Sequence, residues 1–438
     1  MSEEATIEPR PWLRAIGWIA LLGPFFFASY GLANWLASLA KDVGSVAFAW
    51  ERSIPFVPWT IVPYWSIDLF YGISLLICAT RRELDRHAQR LFVAQLISVA
   101  CFIAFPLRFS FDRPAAIEGV YGTLFTALGS FDKPFNQAPS LHISLLVLIW
   151  VRVAAHCRPT WLRVVLHCWM LLVGVSVLTT YQHHFIDIPT GLAVGVAILW
   201  ALPIGARSPL AGMSISSDPM RRRLAVVYAV GGMLFAAAAW AGGWLLWSLW
   251  PALSLAIVSL NYFAIGARGF QKSASGSMSA GAWGLLAPYL LAAWLNSRLR
   301  NAGRPSSGVV VDGVSVGRIR GPLDADRASF AAVVDMAAEL PFSVNDGQFY
   351  RSIPVLDLTV PAAGELREAV DAIEEGRSHG PVLVCCAVGL SRSASAVVAW
   401  LVATKRAKGI DDAIGMVRAA RPALVVYPGL RATLEELS

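Results

Sequence analysis

A cysteine and an arginine stand six positions apart near the C-terminal end of the chain, with a glycine between them. Cys386 follows the wholly apolar run PVLVC (381–385), which is typical of a central parallel strand, and Arg392 precedes a stretch with helical spacing. A strand, a tight loop that Gly389 permits and a helix N-terminus direct backbone N–H groups towards one point. The pattern therefore predicts an anion site, and it places a reactive thiol within that site.

The neighbouring Cys385 has a different expected role. Side chains alternate along a strand, so Cys385 should point to the opposite side from Cys386. A buried structural cysteine at the end of a core strand explains Cys385, but it leaves the arginine six positions after Cys386 unexplained. We therefore expect Cys386 to carry the chemistry.

Three polar clusters form a second group of candidates, in a part of the chain that is otherwise strongly apolar. Polar groups at membrane depth or at its edge are costly, so they suggest function. Each cluster carries residues suited to phosphate binding or acid–base chemistry: PLRFSFDRP (106–114) with Arg108 and Arg113, APSLHIS (138–144) with Ser140 and His142, and TTYQHHFID (179–187) with His183 and Asp187.

The residue types in these clusters suit phosphoryl transfer. Arginine offers fork-shaped donors for phosphate oxygens, one histidine can attack phosphorus, and a second can protonate the leaving oxygen. A carboxylate can hold the attacking imidazole in the required tautomer. If residues 183–187 are helical, the i, i+4 spacing places His183 and Asp187 on one face. A lone intramembrane histidine is more often structural, but here three clusters share one face of the predicted topology.

The composition indicates that membrane-spanning helices position these clusters. The chain has a mean hydropathy of +0.57, and 15% of its 438 residues are charged, whereas about 25% is usual in soluble proteins. Seventeen tryptophans fit aromatic belts at membrane interfaces, and the net charge of +7 fits basic cytoplasmic loops. No basic cluster with interleaved aromatic residues lies on a soluble surface, so the sequence argues against nucleic-acid binding.

Basic residues near the span ends set the predicted orientation. They occur at 81–90, 152–163 and 221–223, and the positive-inside rule places these segments in the cytoplasm. Crossing a bilayer takes about 20 apolar residues. The stretches that qualify are 15–38, 60–80, 91–109, 140–157, 162–181, 186–206, 224–246 and 249–267.

This orientation brings the three polar clusters to one side of the membrane. Segments 39–59, 110–139 and 181–186 then lie on the outer face. A further apolar stretch, 280–296, has basic residues on both flanks, so we expect a re-entrant or interfacial segment around Pro288 and not a ninth span. The C-terminal domain then remains in the cytoplasm.

The sequence changes character near residue 298, where charged residues become frequent. We divide the chain into a membrane domain (1–206), additional transmembrane or interfacial segments (207–297), a linker (298–307) and an α/β domain (308–438). Within the α/β domain, alternating apolar runs and helical patterns predict five elements: a hairpin at 309–319, strands at 352–358 and 381–385, and helices at 363–376 and 393–406.

The motifs DRP, PSLH and HHFID, over roughly residues 50–206, resemble the type 2 phosphatidic acid phosphatase superfamily. Their details are closer to the branch of inositol-phosphoryl and sphingomyelin-type head-group transferases. The resemblance implies an all-α membrane domain with a six-helix core plus extra spans. It also implies that His183 is a nucleophile that forms a phosphohistidine, that Asp187 orients it, and that His142 is the general acid.

The same resemblance assigns phosphate binding to Arg113 and Ser140. Two positions depart from the phosphatase pattern: Pro106 stands where a lysine is usual, and Val177 stands where an arginine is usual. Arg108 is a candidate to compensate for the first loss. The second loss favours the transferase-like branch, where that arginine is also missing.

The C-terminal domain resembles the dual-specificity branch of the protein tyrosine phosphatase superfamily. By that resemblance Cys386 forms a phosphocysteine, Arg392 clamps the phosphate oxygens, and Ser393 helps to expel the thiolate in the second step. The general acid in this family lies about 30 residues upstream, and Asp357 stands 29 positions before the cysteine. Cys385 replaces the histidine that usually precedes the nucleophile.

These observations predict a bifunctional membrane-bound phosphatase of phosphorylated lipids that needs no metal or other cofactor. The resemblance to bacterial fusion proteins implies an inner-membrane location. Three alternatives remain open. The histidine site could transfer a phospholipid head group with the cysteine domain as an accessory phosphatase. The cysteine domain could be a membrane-tethered phosphatase of phosphoproteins, or it could be a non-catalytic sensor of phosphorylated ligands.

Overall fold

The computed structural model describes residues 9–114, 117–321, 324 and 329–436. The chain divides into two compact units, Met1–Ser208 and Pro209–Ser438. The first unit is helical, and the second joins further helices to a domain with a mixed β-sheet. The stretch expected to be a linker, 298–307, lies within the second unit, and a helix continues through its first residues to Arg300.

Long apolar segments form the helices of the first unit, because a helix satisfies its own backbone groups in a bilayer. Side-chain caps fix two of the helix starts: Thr80 accepts a hydrogen bond from the Glu83 N–H, and Ser140 accepts one from the Ile143 N–H. The helices are α1 (Trp12–Leu39), α2 (Ile61–Leu76), α3 (Arg81–Ala104), α4 (Gly119–Phe131), α5 (Leu141–His156), α6 (Thr160–Thr179) and α7 (Asp187–Ala201).

Every stretch predicted to span the membrane overlaps a helix, but the helices differ in length. Within the described residues, five helices are long and apolar enough to cross a membrane: Trp12–Leu39, Arg81–Ala104, Thr160–Thr179, Pro219–Ala239 and Gly243–Ile265. The remaining predicted spans correspond to α2, α5 and α7, which have 16, 16 and 15 residues. These findings indicate a membrane protein.

One end of the first unit gathers the segments that carry the polar clusters. The Val57 N–H donates to the Thr179 carbonyl oxygen over 2.9 Å. The Arg113 guanidinium donates to the carbonyl oxygen of Tyr181. Residues that are far apart in the sequence therefore meet where α6 ends and α7 begins, as the topology predicts.

The second unit begins with a helical hairpin. It consists of α8 (Pro219–Ala239) and α9 (Leu249–Leu260), and a π-helical turn (Asn261–Ile265) follows α9. The Arg221 guanidinium donates to the Asn261 carbonyl oxygen, so the basic start of α8 lies beside the end of α9. After a connecting segment, α10 (Ala280–Arg300) leads into the sheet.

Over the residues that the structure describes, the sheet has five strands in the order β1-β2-β5-β3-β4. The strands are β1 (Ser307–Val311), β2 (Val314–Arg318), β3 (Ala332–Ala337), β4 (Phe349–Val355) and β5 (Val382–Cys386). The β1–β2 pair is antiparallel, whereas β5 pairs in parallel with both β2 and β3, and β3 pairs in parallel with β4. The central β5 is buried along its whole length, as its apolar sequence predicts.

Helices cover one face of the sheet, and α10 contributes to the other. Val382, Val384 and Cys386 pack into the core beneath α11 (Ala363–Arg377), α12 (Arg392–Ala403) and α13 (Ile410–Ala420), and α14 (Leu430–Glu435) completes this side. Leu383 and Cys385 face the opposite core, against which Ala293 of α10 packs. The alternation therefore separates the two cysteines as expected.

The segment before α10 and the end of α10 both contact the α/β domain. Lys272, which precedes α10, forms a fully buried ion pair of 2.6 Å with Asp335 of β3. Ser297, near the helix end, donates to the Ala387 carbonyl oxygen just after β5. A helix of 21 residues is about 31 Å long, and both of its flanks return to one domain. This arrangement favours the prediction that 280–296 is not a ninth span.

The elements predicted for the α/β domain are present with small shifts. The hairpin at 309–319 is confirmed by the β1–β2 pair. The strand predicted at 352–358 is β4, which begins at Phe349 and ends at Val355, so the loop that carries Asp357 starts earlier than expected. Three elements, β3, α13 and α14, were not predicted from the sequence.

Candidate active sites

The cysteine loop has the strand–loop–helix geometry that its sequence predicts. Cys386 ends β5, and Arg392 begins α12. The Cys386 Sγ accepts hydrogen bonds from the Gly389 backbone N–H at 3.2 Å and from the Ser393 Oγ at 3.3 Å. Both donors can stabilise negative charge on the sulfur. The structure thus brings four predicted site residues together within one loop and one helix turn.

Gly389 is required by the backbone of this loop. Its φ is +78°, in the left-handed region. A Cβ atom built at Gly389 would lie 2.2 Å from the carbonyl carbon of Gly317 on the neighbouring β2. Both the conformation and the close approach of two backbones exclude a side chain here.

The Arg392 side chain is buried and held by two carboxylates. Its guanidinium donates to both carboxylate oxygens of Glu339, at 2.6 and 2.7 Å, and to the Val355 carbonyl oxygen at 2.8 Å. It also lies 2.8 Å from the Asp357 Oδ1. Among the described residues, the Arg392 Nε has no hydrogen-bond partner although it is buried. An unpaired buried donor beside the cysteine is suited to a phosphate oxygen.

The pKa values in this group follow from burial and from the close ion pairs. Burial raises the pKa of the Asp357 carboxyl, and the nearby Arg392 guanidinium reduces that rise without cancelling it. Burial opposes ionisation of Glu339 as well, but the Arg392 guanidinium holds the pKa of its carboxyl below the usual value. Burial disfavours charge on Arg392, yet Asp357 and Glu339 together raise its pKa well above the usual value. Asp357 is therefore the carboxyl best suited to hold a proton.

The predicted general acid also contacts the helical hairpin that precedes the sheet. Asp357 lies in the loop after β4, and its carbonyl oxygen accepts a 2.8 Å hydrogen bond from the Tyr262 hydroxyl. Tyr262 is fully buried in the π-helical turn after α9. The loop that carries the acid is thus attached to the end of a candidate membrane span.

Cys385 lies outside the anion site. Its side chain is buried in the core on the other face of the sheet, and it pairs in register with Asp335 of β3. Burial raises the pKa of the Cys385 thiol well above its usual value, and the carboxylate of Asp335 adds to this rise. Cys385 therefore remains protonated, and its thiol has no place among the phosphate ligands.

Glu339 is a residue of this site that was not predicted from the sequence. Glu339 follows β3, next to β5 in the sheet, and the carboxyl ends of neighbouring parallel strands meet at one edge. The run AAVVDMAAEL could have indicated a strand that ends in an acid. Arg421, Asn301 and Ser297 were missed as well, and they contact the backbone of the cysteine loop.

The histidine cluster assembles at the end of the first unit. The His183 Nδ1 lies 3.0 Å from the Asp187 Oδ2, and the His183 Nε2 lies 3.2 Å from the Ser140 Oγ. His183 stands in the turn before α7, so the condition that residues 183–187 are helical is not met. The contact forms instead because Asp187 is the first helical residue and the turn folds back over it. All three side chains are buried.

His142 and His183 line a common cavity. Its volume is about 270 Å³, and its other lining groups are mainly aromatic and aliphatic side chains. The His142 ring stacks on Tyr64 at a centroid distance of 4.3 Å. Its Nε2 is buried without a partner among the described residues. Asp68 also lines this cavity, as does Asp132, which the sequence reading did not single out.

The two arginines predicted near the histidines differ in placement. Arg113 approaches the cluster, because its guanidinium donates to the carbonyl oxygen of Tyr181, two residues before His183. Arg108 is exposed, and its described hydrogen bond is made by its backbone N–H to the Gly44 carbonyl oxygen. The described contacts therefore do not bring the Arg108 side chain to the histidines, and they give no support for its compensating role.

A buried carboxylate supports this cluster from an unexpected segment. Glu51 lies 2.9 Å from the His184 Nδ1 through its Oε2. The Ser110 backbone N–H donates to the His184 Nε2 at 3.1 Å, so this nitrogen is an acceptor and the Nδ1 carries the proton. His184 thus connects the segment before α2 to the segment that carries Arg113. The sequence offered no periodic signal for Glu51.

Comparison with known proteins bears on the cysteine site. Residues 321–438 match the family described as dual specificity phosphatase, catalytic domain. Dual specificity protein phosphatase 1-A of Xenopus laevis is 34% identical over 98 residues, which are 22% of this chain and 26% of that protein. The chain thus spans about a quarter of the length of this curated relative.

Solved structures also align with just under a third of the chain. The active form of Tk-PTP is 32% identical, and the alignment covers 30% of this chain and 96% of that one with a TM-score of 0.28. PTPMT1 in complex with PI(5)P is 20% identical, and the alignment covers 30% of this chain and 94% of that one with a TM-score of 0.28.

The C-terminal part of the chain is a dual-specificity phosphatase domain. This assignment rests on the family match and on the curated relative. It supports phosphoric monoester hydrolysis as the reaction class of this domain. The matched residues contain Cys386, Arg392 and Asp357, whereas the histidine cluster lies outside them.

Proposed function

We propose that this chain is a membrane-bound phosphatase whose cysteine site hydrolyses phosphomonoesters carried by lipids. The observation that carries this proposal is the hydrogen bond from the Tyr262 hydroxyl to the Asp357 carbonyl oxygen. It joins the loop of the general acid to the end of the candidate span Gly243–Ile265. A phosphate held in the cysteine loop therefore lies close to the level at which lipid head groups emerge from a bilayer.

In the first chemical step, the Cys386 sulfur attacks phosphorus. An S–P bond forms while the bond between phosphorus and the lipid alcohol oxygen breaks, and the protonated Asp357 carboxyl gives its proton to that oxygen. The Arg392 Nε and the inward backbone N–H groups of the loop bind the other phosphate oxygens. The raised pKa of Asp357 favours the protonated form that this step needs.

In the second step, water attacks the phosphocysteine. The P–O bond to water forms as the P–S bond breaks, and the Asp357 carboxylate takes the proton from the water. The Ser393 Oγ, 3.3 Å from the Cys386 Sγ, donates a hydrogen bond to the departing thiolate. The products are inorganic phosphate and the free enzyme, and no metal or other cofactor takes part in either step.

The distribution of basic residues supports a cytoplasmic location for this domain. Arg221, Arg222 and Arg223 lie at the start of α8, and Arg221 contacts the end of α9. The same end of the hairpin carries Tyr262, which contacts the loop that carries Asp357. A reducing cytoplasm also preserves a nucleophilic thiolate. With the resemblance to bacterial fusion proteins, these features point to the inner membrane of a bacterium.

A second phosphoryl-transfer centre is proposed at the histidine cluster. The shared cavity of His142 and His183 supports it, because the cavity is largely apolar and has two acid–base groups at its wall. In this proposal His183 attacks phosphorus, Asp187 holds its Nδ1–H, and His142 protonates the leaving oxygen. The phosphohistidine then passes its phosphoryl group, or a phosphorylated head group, to water or to another alcohol. The transferase outcome is the alternative at this site.

The experiment measures phosphate release by the full-length chain in detergent micelles. The His183→Ala variant removes the contribution of the histidine cluster, so that only the cysteine site is assayed. The assay compares a lipid phosphate (a phosphoinositide or phosphatidylglycerol phosphate) with a phosphotyrosine peptide at equal phosphate concentration. We expect a higher kcat/KM for the lipid phosphates, and the added Cys386→Ser substitution abolishes turnover. Preference for the peptide would favour the phosphoprotein alternative. Phosphate binding without turnover would favour the sensor.

A further inference from the structure

Three consecutive carbonyl groups of the cysteine loop are held by side chains from outside it. The Ser297 Oγ donates to the Ala387 carbonyl oxygen at 2.5 Å. The Asn301 Nδ2 donates to the Val388 carbonyl oxygen at 3.1 Å. Arg421 donates to the carbonyl oxygens of Val388 and Gly389, each at 3.3 Å.

These contacts determine where the N–H groups of the loop point. In a planar trans peptide, the C=O of one residue and the N–H of the next point in opposite directions. A carbonyl held on the outer side of the loop therefore directs the following N–H inwards. The Gly389 N–H, which follows the held Val388 carbonyl, points to the Cys386 Sγ at 3.2 Å. Holding the carbonyls of residues 387–389 thus directs the N–H groups of residues 388–390 towards the sulfur and its anionic ligand.

Two of the three donors come from α10 and from the residue directly after it. Ser297 and Asn301 are both buried, although the helix end is otherwise largely exposed. The Asn301 side chain accepts a hydrogen bond from Arg421 at 2.8 Å through its Oδ1 while its Nδ2 donates to the loop. Its orientation is therefore determined on both sides. Ser297 and Asn301 precede the residues that match the phosphatase family, which begin at residue 321.

We propose that Ser297 and Asn301 are positioning residues of the phosphatase reaction, and that the end of α10 is part of the catalytic unit. The proposal rests on the proposed cysteine chemistry. Without these donors, the loop carbonyls lose their external partners and the N–H groups lose their fixed inward direction. The phosphate-binding loop then binds phosphate oxygens less well both in the ground state and in the transition state.

The test uses the full-length chain in detergent, with p-nitrophenyl phosphate as a soluble substrate and inorganic phosphate as a competitive inhibitor. Asn301→Ala removes the donor and the acceptor, Asn301→Asp removes only the donor, and Ser297→Ala removes a single hydroxyl. The matched control is Asn296→Ala, because Asn296 is an exposed asparagine of the same helix whose side chain accepts from Arg300.

A lost hydrogen bond of this kind weakens binding by roughly 3- to 10-fold. We expect the inhibition constant for phosphate to rise by about that factor in Asn301→Ala, by less in Ser297→Ala, and to be unchanged in Asn296→Ala. The rate of Cys386 alkylation by iodoacetamide at neutral pH should also be lower in Asn301→Ala and Ser297→Ala, because the Cys386 Sγ loses the oriented N–H donors of the loop. A purely structural role would lower the melting temperature without changing the inhibition constant or the alkylation rate.

Equal inhibition constants and equal alkylation rates in Ser297→Ala, Asn301→Ala and Asn296→Ala overturn the proposal. If Asn301→Ala fails to fold, Ser297→Ala decides, because it removes one hydroxyl and introduces no charge. Failure of the proposed cysteine chemistry is separate, because Cys386→Ser would then leave hydrolysis of p-nitrophenyl phosphate unchanged.

Discussion

The two candidate sites are built in opposite ways. The cysteine site comes mainly from one continuous strand–loop–helix segment, and buried ion pairs between Arg392, Glu339 and Asp357 add to it. The histidine site is collected from separate segments at one end of a helical unit, around an apolar cavity. A local loop can be recognised from a short sequence, whereas a site collected from distant segments depends on the fold that brings them together.

A substitution at Cys386 should separate the activities of the two sites most clearly. We expect Cys386→Ser to lower hydrolysis of p-nitrophenyl phosphate on the order of 10³-fold or more, because a serine hydroxyl is a much weaker nucleophile than a cysteine thiolate. His183→Ala is the control and should leave this soluble activity intact. Equal losses in the two variants would mean that the sites are not independent. The measurement is steady-state kinetics of the full-length chain in detergent.

The Asp187→Asn variant tests the histidine site in the same way. Its amide cannot accept the Nδ1–H of His183 as a carboxylate does, so the nucleophile loses its orientation and the stabilisation of its charge. We expect the lipid phosphate activity that remains in Cys386→Ser to fall by about 10²-fold or more. Unchanged residual activity would remove Asp187 from the mechanism.

The Asp357→Asn variant sharpens the assignment of the acid. Loss of a general acid typically costs about 10²- to 10⁴-fold, and the loss should be greater with an alkyl phosphate than with p-nitrophenyl phosphate, whose leaving group needs little protonation. The wild-type rate should decline as the pH rises through the Asp357 pKa, and because that pKa is raised, the decline lies at a higher pH than for an ordinary aspartate. The rate of Asp357→Asn should not show this decline with rising pH. A decline that persists in the variant would mean that another residue is the general acid.

Glu339→Gln probes the stability of the buried ion pair. Removal of one partner of a buried pair leaves Arg392 poorly compensated, and we expect a loss of about 3 kcal/mol in the free energy of unfolding. Because the Glu339 pKa is lowered by folding, its contribution is present above the unfolded pKa and disappears as the pH falls through the folded pKa. Thermal melting at neutral and acidic pH should therefore show a smaller difference between the variant and the wild type at acidic pH.

Cys385→Ser should have the smallest effect. The thiol points away from the anion site, and its raised pKa keeps it protonated. We expect kcat/KM to change by less than about twofold, since only a buried thiol becomes a hydroxyl. A large loss with unchanged melting temperature would show that Cys385 takes the role of the histidine that it replaces.

The sequence predicted the local parts of both sites and missed the parts that depend on tertiary structure. Cys386, Gly389, Arg392 and Ser393 lie within eight consecutive residues, so their chemistry is visible without a fold. Glu339 could not be placed, because its role depends on β3 lying beside β5 in the sheet.

The histidine pair shows a different limit of sequence reasoning. His183 and Asp187 were paired correctly by a helical argument that does not hold, because His183 lies in a turn. Arg108 is close in sequence to the site, but it is exposed, and its described contacts do not connect its side chain to the histidines. Spacing predicted which residues meet more reliably than it predicted the backbone between them.

The central claim is that one chain carries two separate phosphoryl-transfer centres. The most direct measurement is phosphate release from a phosphorylated lipid in vesicles by four full-length proteins: the wild type, Cys386→Ser, His183→Ala and the double variant. Each single variant should retain part of the activity, and the double variant should have none. Complete loss in one single variant, or activity that persists in the double variant, would contradict it.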